Sequence, residues 1–175
     1  MVFTESRLAG AWIIDVSPIH DTRGLFAVTW QPEAFETRGL DSTLAQCNLA
    51  WNHRRGTLRG LHFQRAPFEQ VKIVRCTHGS LCDVIVDLRP DSPTYRQWDR
   101  VELTAENRRM LYVPAGFAHG YLTLTDGVEV YYHASHAWAP SAESGVRWDD
   151  PALGVEWPSA PLVISDKDRA WPLMD

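Results

Sequence analysis

Three side chains of this sequence could act together in acid–base chemistry: an imidazole, an ammonium group and a phenol. His62 lies in the segment Leu58–Gln64, where Gly60 on the same face of a strand would leave open space in front of the ring. Lys72 and Tyr132 each alternate with apolar residues, so both are expected to point inward. An imidazole can accept a proton, an ammonium group carries a positive charge, and a phenol can donate a proton. Taken singly, each has a simpler interpretation as a core histidine, a strand-edge lysine and a packing tyrosine.

The elements that must position these side chains are short strands separated by turns. The 11 glycines and 11 prolines are spread along the chain, and apolar residues recur with period two more often than 3.6. This pattern predicts an all-β sandwich or barrel with short helices over Pro32–Arg38 and Ala105–Arg109. The predicted strands are Ala11–Val16, Leu25–Trp30, Thr43–Leu49, Thr57–Gln64, Gln70–Cys76, Ser80–Leu88, Trp98–Leu103, Met110–Val113, Gly120–Thr125 and Val128–His136.

The composition bounds the class of protein. A length of 175 residues predicts a single domain, with a Pro-rich tail from about Asp149 that wraps the barrel as loop or short helix. The net charge of −5 argues against a nucleic-acid partner, although a few arginines could still bind a small phosphorylated ligand. No apolar run approaches the ~18 residues of a membrane helix. Three cysteines without paired spacing, and no apolar leader, favour a cytoplasmic protein that does not contact a membrane.

The segment Val113–Gly120 has the spacing Pro-x-Gly-x-x-His, which ends at His119 and is similar to the second motif of cupin β-barrels. In metal cupins this histidine is a ligand, together with a His-x-His pair on an earlier strand. That strand here carries His62 and Gln64, so the second histidine is missing. Two imidazoles and an amide are a poor site for zinc or iron. The resemblance therefore implies the barrel, and the residues predict no metal.

Five motifs in order resemble the dTDP-4-dehydrorhamnose 3,5-epimerase family, over about Asp21 to Asp168. They are Arg59-Gly-Leu-His-Phe-Gln64, Asp83-Val-x-Val-Asp-x-Arg89, Ser92-Pro-Thr94, Pro114-x-Gly-Phe-Ala-His-Gly120 and Ser165-Asp-Lys-Asp168. The resemblance implies a cupin-type jelly-roll β-barrel, a homodimer, and no metal or organic cofactor. It implies that the substrate is a dTDP-linked 4-keto-6-deoxyhexose, inverted at the carbons that flank the ketone.

The resemblance also implies a role for each matched residue. His62 is the base, Lys72 faces the enolate oxygen and Tyr132 is the acid on the opposite face of the sugar. Asp168 orients His62, with Asp83 as a second candidate for this partner. Contacts to the substrate are implied for Arg23, Arg59, Gln46, Asn48, His119, Glu143 and Lys167.

Some questions stay open at this stage. Strict alternation puts Arg59 and His62 on opposite faces, unless Gly60 bulges, the strand begins after Arg59, or Arg59 serves a neighbouring subunit. Val28 replaces a ligand-contacting glutamate of the family, and Ala137 precedes Trp138 where two tyrosines are common. These departures leave a single-carbon epimerase as an alternative. A metal-dependent cupin enzyme and a non-catalytic sugar-nucleotide binding protein are two further alternatives.

Overall fold

The computed structural model of the chain describes residues 1–174, and its regular secondary structure is mainly antiparallel strands. Two short helices, α1 (Pro32–Glu36) and α2 (Asp166–Arg169), lie at its periphery. The strands are β1 (Val2–Glu5), β2 (Trp12–Asp15), β3 (Ile19–Asp21), β4 (Gly24–Phe26), β5 (Gln46–Asn52), β6 (Thr57–Gln64), β7 (Lys72–His78), β8 (Ser80–Asp87), β9 (Trp98–Thr104), β10 (Met110–Val113), β11 (Phe117–Thr123), β12 (Val128–Ala134), β13 (Glu143–Gly145) and β14 (Val163–Ile164).

The strands form two large sheets and one separate ribbon. The first sheet has the order β1-β2-β10-β7-β12-β5, and the second has the order β13-β6-β11-β8-β9, with β14 paired in parallel to β6. Strands β3 and β4 form a two-stranded ribbon of their own. Two stacked antiparallel sheets with long connections between them make a jelly roll. The predicted all-β, cupin-like class is confirmed.

The main core lies between the two sheets. Val74 and Val130 of the first sheet and Leu81 and Ile85 of the second are fully buried there. Tyr132 packs against this core, which confirms that its side chain points inward. Lys72, two residues before Val74 on β7, shares the same inner face. The alternation of each strand therefore brings polar groups from both sheets to one interior.

Both outer faces are partly covered by other segments. Phe35 of α1 packs on the outer face of the first sheet against Ile14, Met110 and Tyr112. The tail packs on the outer face of the second sheet, where Leu153 and its neighbours contact a cluster that includes Val84. The tail contributes mostly turns, together with β14 and α2.

Several predicted boundaries differ from the structure. The helix predicted over Ala105–Arg109 is wrong: the side chain of Asn107 accepts hydrogen bonds from the amides of Thr104 and Arg109 and makes a turn instead. Within Leu25–Trp30 the chain is a strand only up to Phe26. The strand predicted from Thr43 begins at Gln46. Strands β1, β3, β13 and β14 had no clear periodic signal because they are two to four residues long.

A membrane-spanning helix is not found within residues 1–174, where no helix has the length and apolar character to cross a bilayer.

Candidate active site

His62 on β6 is held by a carboxylate from the tail of the chain. Its Nε2 atom lies 2.6 Å from Oδ1 of Asp168, and the other carboxylate oxygen accepts a hydrogen bond from the Gly60 amide. Asp168 is 4% exposed and sits in α2, whose first turn is capped by the Ser165 hydroxyl. Burial acts to raise the pKa of Asp168, but the hydrogen bonds from His62 and Gly60 outweigh it and lower the pKa. The carboxylate is therefore ionised and accepts from His62.

A second histidine–aspartate pair lies beside the first. His119 of β11 is the register partner of His62, and its Nε2 atom lies 2.9 Å from the carboxylate of Asp83 on β8. Asp83 is completely buried. The structure thus gives His62 the partner Asp168, and Asp83, the other candidate for that place, is bound to His119.

A bulge in β6 brings Arg59 and His62 to the same face. His119 is paired with His62 and Tyr121 with Arg59, so a three-residue step on β6 faces a two-residue step on β11. The extra residue resets the alternation of β6. Of the three explanations for the position of Arg59, the geometry selects the bulge.

Close contact between two glycines makes this bulge possible. A Cβ on Gly60, whose φ is +128°, would lie 2.6 Å from the Cα of Gly120. A Cβ on Gly120 would lie 2.6 Å from the carbonyl oxygen of Arg59. The expectation that Gly60 leaves open space in front of His62 is therefore wrong. This glycine is needed because the backbones of β6 and β11 approach each other too closely for a side chain.

Lys72 brings an uncommitted ammonium group to the interior. Within residues 1–174 it has no hydrogen bond or ion pair. Burial lowers its pKa to about 8, and the negative charges of Asp83 and Glu143 oppose this change. Lys72 and Lys167 are the only lysines among 17 basic residues. An ammonium group without a protein partner is available to an oxygen of a bound ligand.

Tyr132 brings a phenol to the same interior from β12. It pairs with Val74 of β7 and Asn48 of β5, so it lies on an internal strand of the first sheet. Burial raises its pKa above the ordinary value, and the nearby charge of Arg59 opposes this change. The phenol is therefore protonated at neutral pH and can donate a proton.

Polar residues at the edges of the interior contact one another in pairs. The Gln46 side-chain amide donates to Asn48 Oδ1 over 2.6 Å. The Lys167 ammonium group makes an ion pair with Glu143 on β13. These four predicted substrate contacts lie on β5, β13 and α2, whereas Arg23 does not join them. Its side chain is 88% exposed on the β3–β4 ribbon, where Asp21 is its ion-pair partner.

Three further residues, Asn52, Tyr121 and Trp171, support the site and were not singled out in the sequence. Asn52 Oδ1 accepts hydrogen bonds from Arg59 Nε at 2.8 Å and from the Tyr121 hydroxyl at 3.3 Å, and thereby fixes the guanidinium group. The indole of Trp171 packs over Gly145 and edge-on to His62. Asn52 lies beyond the strand predicted over Thr43–Leu49, and all three contacts depend on the long-range fold.

Residues that would serve a metal are otherwise engaged. Gln64 donates to the carbonyls of Phe68 and Ala137 and accepts from the amide of Ala139, so backbone groups occupy both ends of its side-chain amide. Among residues 1–174, no group of three or more His, Cys, Asp and Glu side chains is arranged to hold a metal ion.

The jelly roll and its interior define a class of protein: a β-barrel whose imidazole, ammonium group and phenol can move protons on and off carbon. A family model described as dTDP-4-dehydrorhamnose 3,5-epimerase matches residues 5–175. The chain belongs to this family.

Individual relatives agree over the full length. The chain is 41% identical over 177 residues to dTDP-4-dehydrorhamnose 3,5-epimerase of Salmonella typhimurium, covering 100% of this chain and 96% of the relative. It is similar to the structure of the Bacillus anthracis enzyme with TDP and PPi bound, with 39% identity, a TM-score of 0.94 and 99% of each chain covered. It is also similar to ChmJ, a 3'-monoepimerase from Streptomyces bikiniensis in complex with dTDP-quinovose, with 36% identity and a TM-score of 0.89. That match covers 96% of this chain and 85% of ChmJ.

Proposed function

We propose that this chain inverts both carbons next to the ketone of a dTDP-linked 4-keto-6-deoxyhexose. The observation that carries the proposal is the His62–Asp168 pair, which opens on the same interior as Lys72 and Tyr132. A ketone acidifies the hydrogens on both neighbouring carbons. A base, an enolate stabiliser and an acid are then sufficient to invert each centre. The family match and the full-length relatives support this substrate class.

His62 acts as the base in this proposal. The ionised carboxylate of Asp168 accepts from Nε2, which favours the tautomer with its hydrogen on Nε2. Nδ1 then has a free lone pair to remove the proton from carbon. After the transfer, the imidazolium is stabilised by the negative charge of Asp168, as in other histidine–aspartate pairs.

Lys72 stabilises the negative charge that develops on the ketone oxygen. With a pKa of about 8, the group is largely protonated at neutral pH, and no oxygen of residues 1–174 accepts a hydrogen bond from it. A cation in a buried site stabilises the negative charge of an enolate more strongly than a cation in water does.

Tyr132 returns a proton to the opposite face of the sugar ring. It belongs to the first sheet, whereas His62 belongs to the second, so the two groups approach the interior from opposite sides. This arrangement suits inversion, because the proton leaves from one face of the ring and arrives at the other.

Arg59 binds the diphosphate, and Gln46 and Asn48 bind the nucleotide side of the substrate. The planar guanidinium matches phosphate oxygens, and Asn52 holds it in a fixed orientation. A pocket of about 340 Å³ beside Arg59 also includes Trp51, His53 and Arg54, which gives it a positive and aromatic lining. His119, Glu143 and Lys167 complete the contacts to the sugar and phosphate.

Arg23 reaches the substrate from a second copy of the chain in a homodimer. Its ribbon exposes large apolar side chains, with Ile19 at 71% and Phe26 at 68%, as expected for a surface that another subunit covers. Mixing the inactive variants Arg23→Ala and His62→Asn tests this. If subunits exchange, mixed dimers carry one intact site and restore about a quarter of full activity. No recovery, or a monomer in light scattering at micromolar concentration, would contradict the shared site.

The proposal also places the chain in the cytoplasm, where the exposed thiol of Cys47 and the buried thiols of Cys76 and Cys82 stay reduced.

Turnover of dTDP-4-keto-6-deoxyglucose in heavy water, followed by NMR, tests the reaction. We expect deuterium at both carbon 3 and carbon 5 of the product. Deuterium at one carbon only would favour a single-carbon epimerase, the alternative that the likeness to ChmJ supports. No deuterium at either carbon, with intact dTDP binding, would overturn the proposal in favour of a binding protein.

A further inference from the structure

We propose that Asp83 is a positioning residue for the epimerisation: its buried carboxylate is the counter-charge that keeps Lys72 protonated across the barrel interior. The inference rests on the proposed role of Lys72 in the reaction. Asp83 does not touch the substrate in this account, and it acts only through Lys72 and His119.

The geometry around Asp83 leaves part of its charge unmatched. The side chain points between Leu81 and Ile85 into the core and is 0% exposed. Nε2 of His119 lies 2.9 Å from both carboxylate oxygens of Asp83. Its hydrogen bond goes to Oδ2, while Oδ1 is buried and accepts no hydrogen bond in residues 1–174. Burial raises the pKa of Asp83, and His119 and the charge of Lys72 both oppose this rise. A buried carboxylate is costly unless a cation compensates it.

The other carboxylates of the site already have partners. Glu143, which also acts on Lys72, makes an ion pair with Lys167. Asp168 is bound to His62. The neighbours of Lys72 on β10 and β12 are Val113 and Ala134, which carry no charge. Of the two carboxylates that act on Lys72, Asp83 is therefore the one without a lysine or arginine in contact, and Lys72 is the cation that balances it.

This balance decides whether Lys72 works at neutral pH. Burial has already lowered its pKa to about 8. Removal of the negative charge of Asp83 lowers the pKa further, because burial is then opposed by Glu143 alone. A neutral amine would stabilise the enolate poorly, so the activity would be lost at a lower pH on the basic side of the pH profile.

NMR of protein labelled at the lysine side chains measures this directly, without substrate. The chain has two lysines, so the Lys167→Arg variant assigns both signals. We expect Lys72 to titrate near pH 8 in the wild type. In Asp83→Asn we expect its pKa to fall by about one unit, a roughly tenfold rise in the acid dissociation constant, and the basic limb of the kcat profile to move with it. An unchanged Lys72 pKa would overturn the proposal.

Asp87→Asn is the matched control. Asp87 is equally buried on the same strand, but its charge is balanced by Arg89, so the Lys72 titration should stay within about 0.2 units. If Asp83→Asn does not fold, Asp83→Ser removes the charge and leaves room for water. The carboxyl carbon signal of Asp83 in the wild type gives a test without any variant. A protonated carboxyl at pH 7 would contradict the proposal.

The two proposals fail separately. If the wild-type protein incorporates no deuterium into the substrate, the proposed function is wrong. The titration of Lys72 still tests the role of Asp83 in that case. Normal exchange together with an unshifted Lys72 in Asp83→Asn would remove only the role of Asp83.

Discussion

Nε2 of His62 lies 2.6 Å from Oδ1 of Asp168, although the two residues are 106 positions apart in the chain. This contact ties the tail to the middle of β6, since the same carboxylate also accepts from the Gly60 amide. Asp168 therefore orients the imidazole and closes the tail over the second sheet. In the proposed function, catalysis and stability therefore depend on the same carboxylate.

Asp168→Asn should lower stability in a pH-dependent way. The pKa of Asp168 is lowered in the folded chain, so its ionised form stabilises the fold. This contribution is complete above the ordinary pKa near 4 and is lost as the pH falls through the lowered folded value. We expect the variant to have a free energy of unfolding about 1–3 kcal/mol lower than the wild type at pH 7. This difference between the two proteins should become smaller towards pH 3.

Urea unfolding at a series of pH values measures this gap. The control is Asp166→Asn, which changes an exposed aspartate of the same helical turn and should leave the stability nearly unchanged. If the difference in unfolding free energy between Asp168→Asn and the wild type is the same at pH 7 and pH 3, the ionised form of Asp168 does not stabilise the fold.

Tyr132→Phe should stop reprotonation while the fold and dTDP binding persist. The substitution removes only the hydroxyl of a side chain that packs against the core. Loss of a positioned acid typically costs ~10²–10⁴-fold, and we expect the rate of epimerised product formation to fall in that range. The neighbouring variant Tyr131→Phe is the control, because Tyr131 lies on the other face of β12. Equal rates in the two variants would exclude Tyr132 as the acid.

Gly120→Ala should disturb the bulge that aligns Arg59 with His62. The new methyl group would lie 2.6 Å from the Arg59 carbonyl oxygen and 3.1 Å from the Cα of Gly60, both of them backbone atoms. We expect a loss of about 1–3 kcal/mol in the free energy of unfolding and a weaker affinity for dTDP, since Arg59 must shift.

Gly39→Ala is the control that separates backbone strain from the alignment of Arg59 with His62. Gly39 has a φ of +69° and open space around it, so this variant strains the backbone without crowding the site. It should lose stability but keep its affinity for dTDP, which calorimetry measures. Equal affinities for dTDP in the two variants would contradict the role of the bulge.

The sequence predicted those features that depend on local alternation. The two-residue alternation of apolar residues placed Tyr132 and Lys72 on the inner faces of their strands, because Val130 and Val74, two positions away on the same strands, belong to the core. The helix expected at Ala105–Arg109 failed for a local reason as well. Asn107 offers its side chain to the backbone and so competes with the helix.

The rest of the site depends on contacts that no local pattern carries. The bulge at Gly60 requires Gly120, which is sixty residues away in sequence, and strict alternation therefore put Arg59 on the wrong face. The family resemblance supplied Asp168 as the first partner of His62. The packing of α2 brings Asp168 to His62, and the pairing of β8 with β11 brings Asp83 to His119.

The most direct test of the central claim is the rate at which His62→Asn incorporates deuterium from heavy water into dTDP-4-keto-6-deoxyglucose. Since His62 is the base in this account, we expect the rate to fall by ~10²–10⁴-fold while dTDP affinity is kept. His78→Asn, which changes an exposed histidine at the other end of β7 from Lys72, should exchange at the wild-type rate. Wild-type exchange by His62→Asn would show that another group removes the proton.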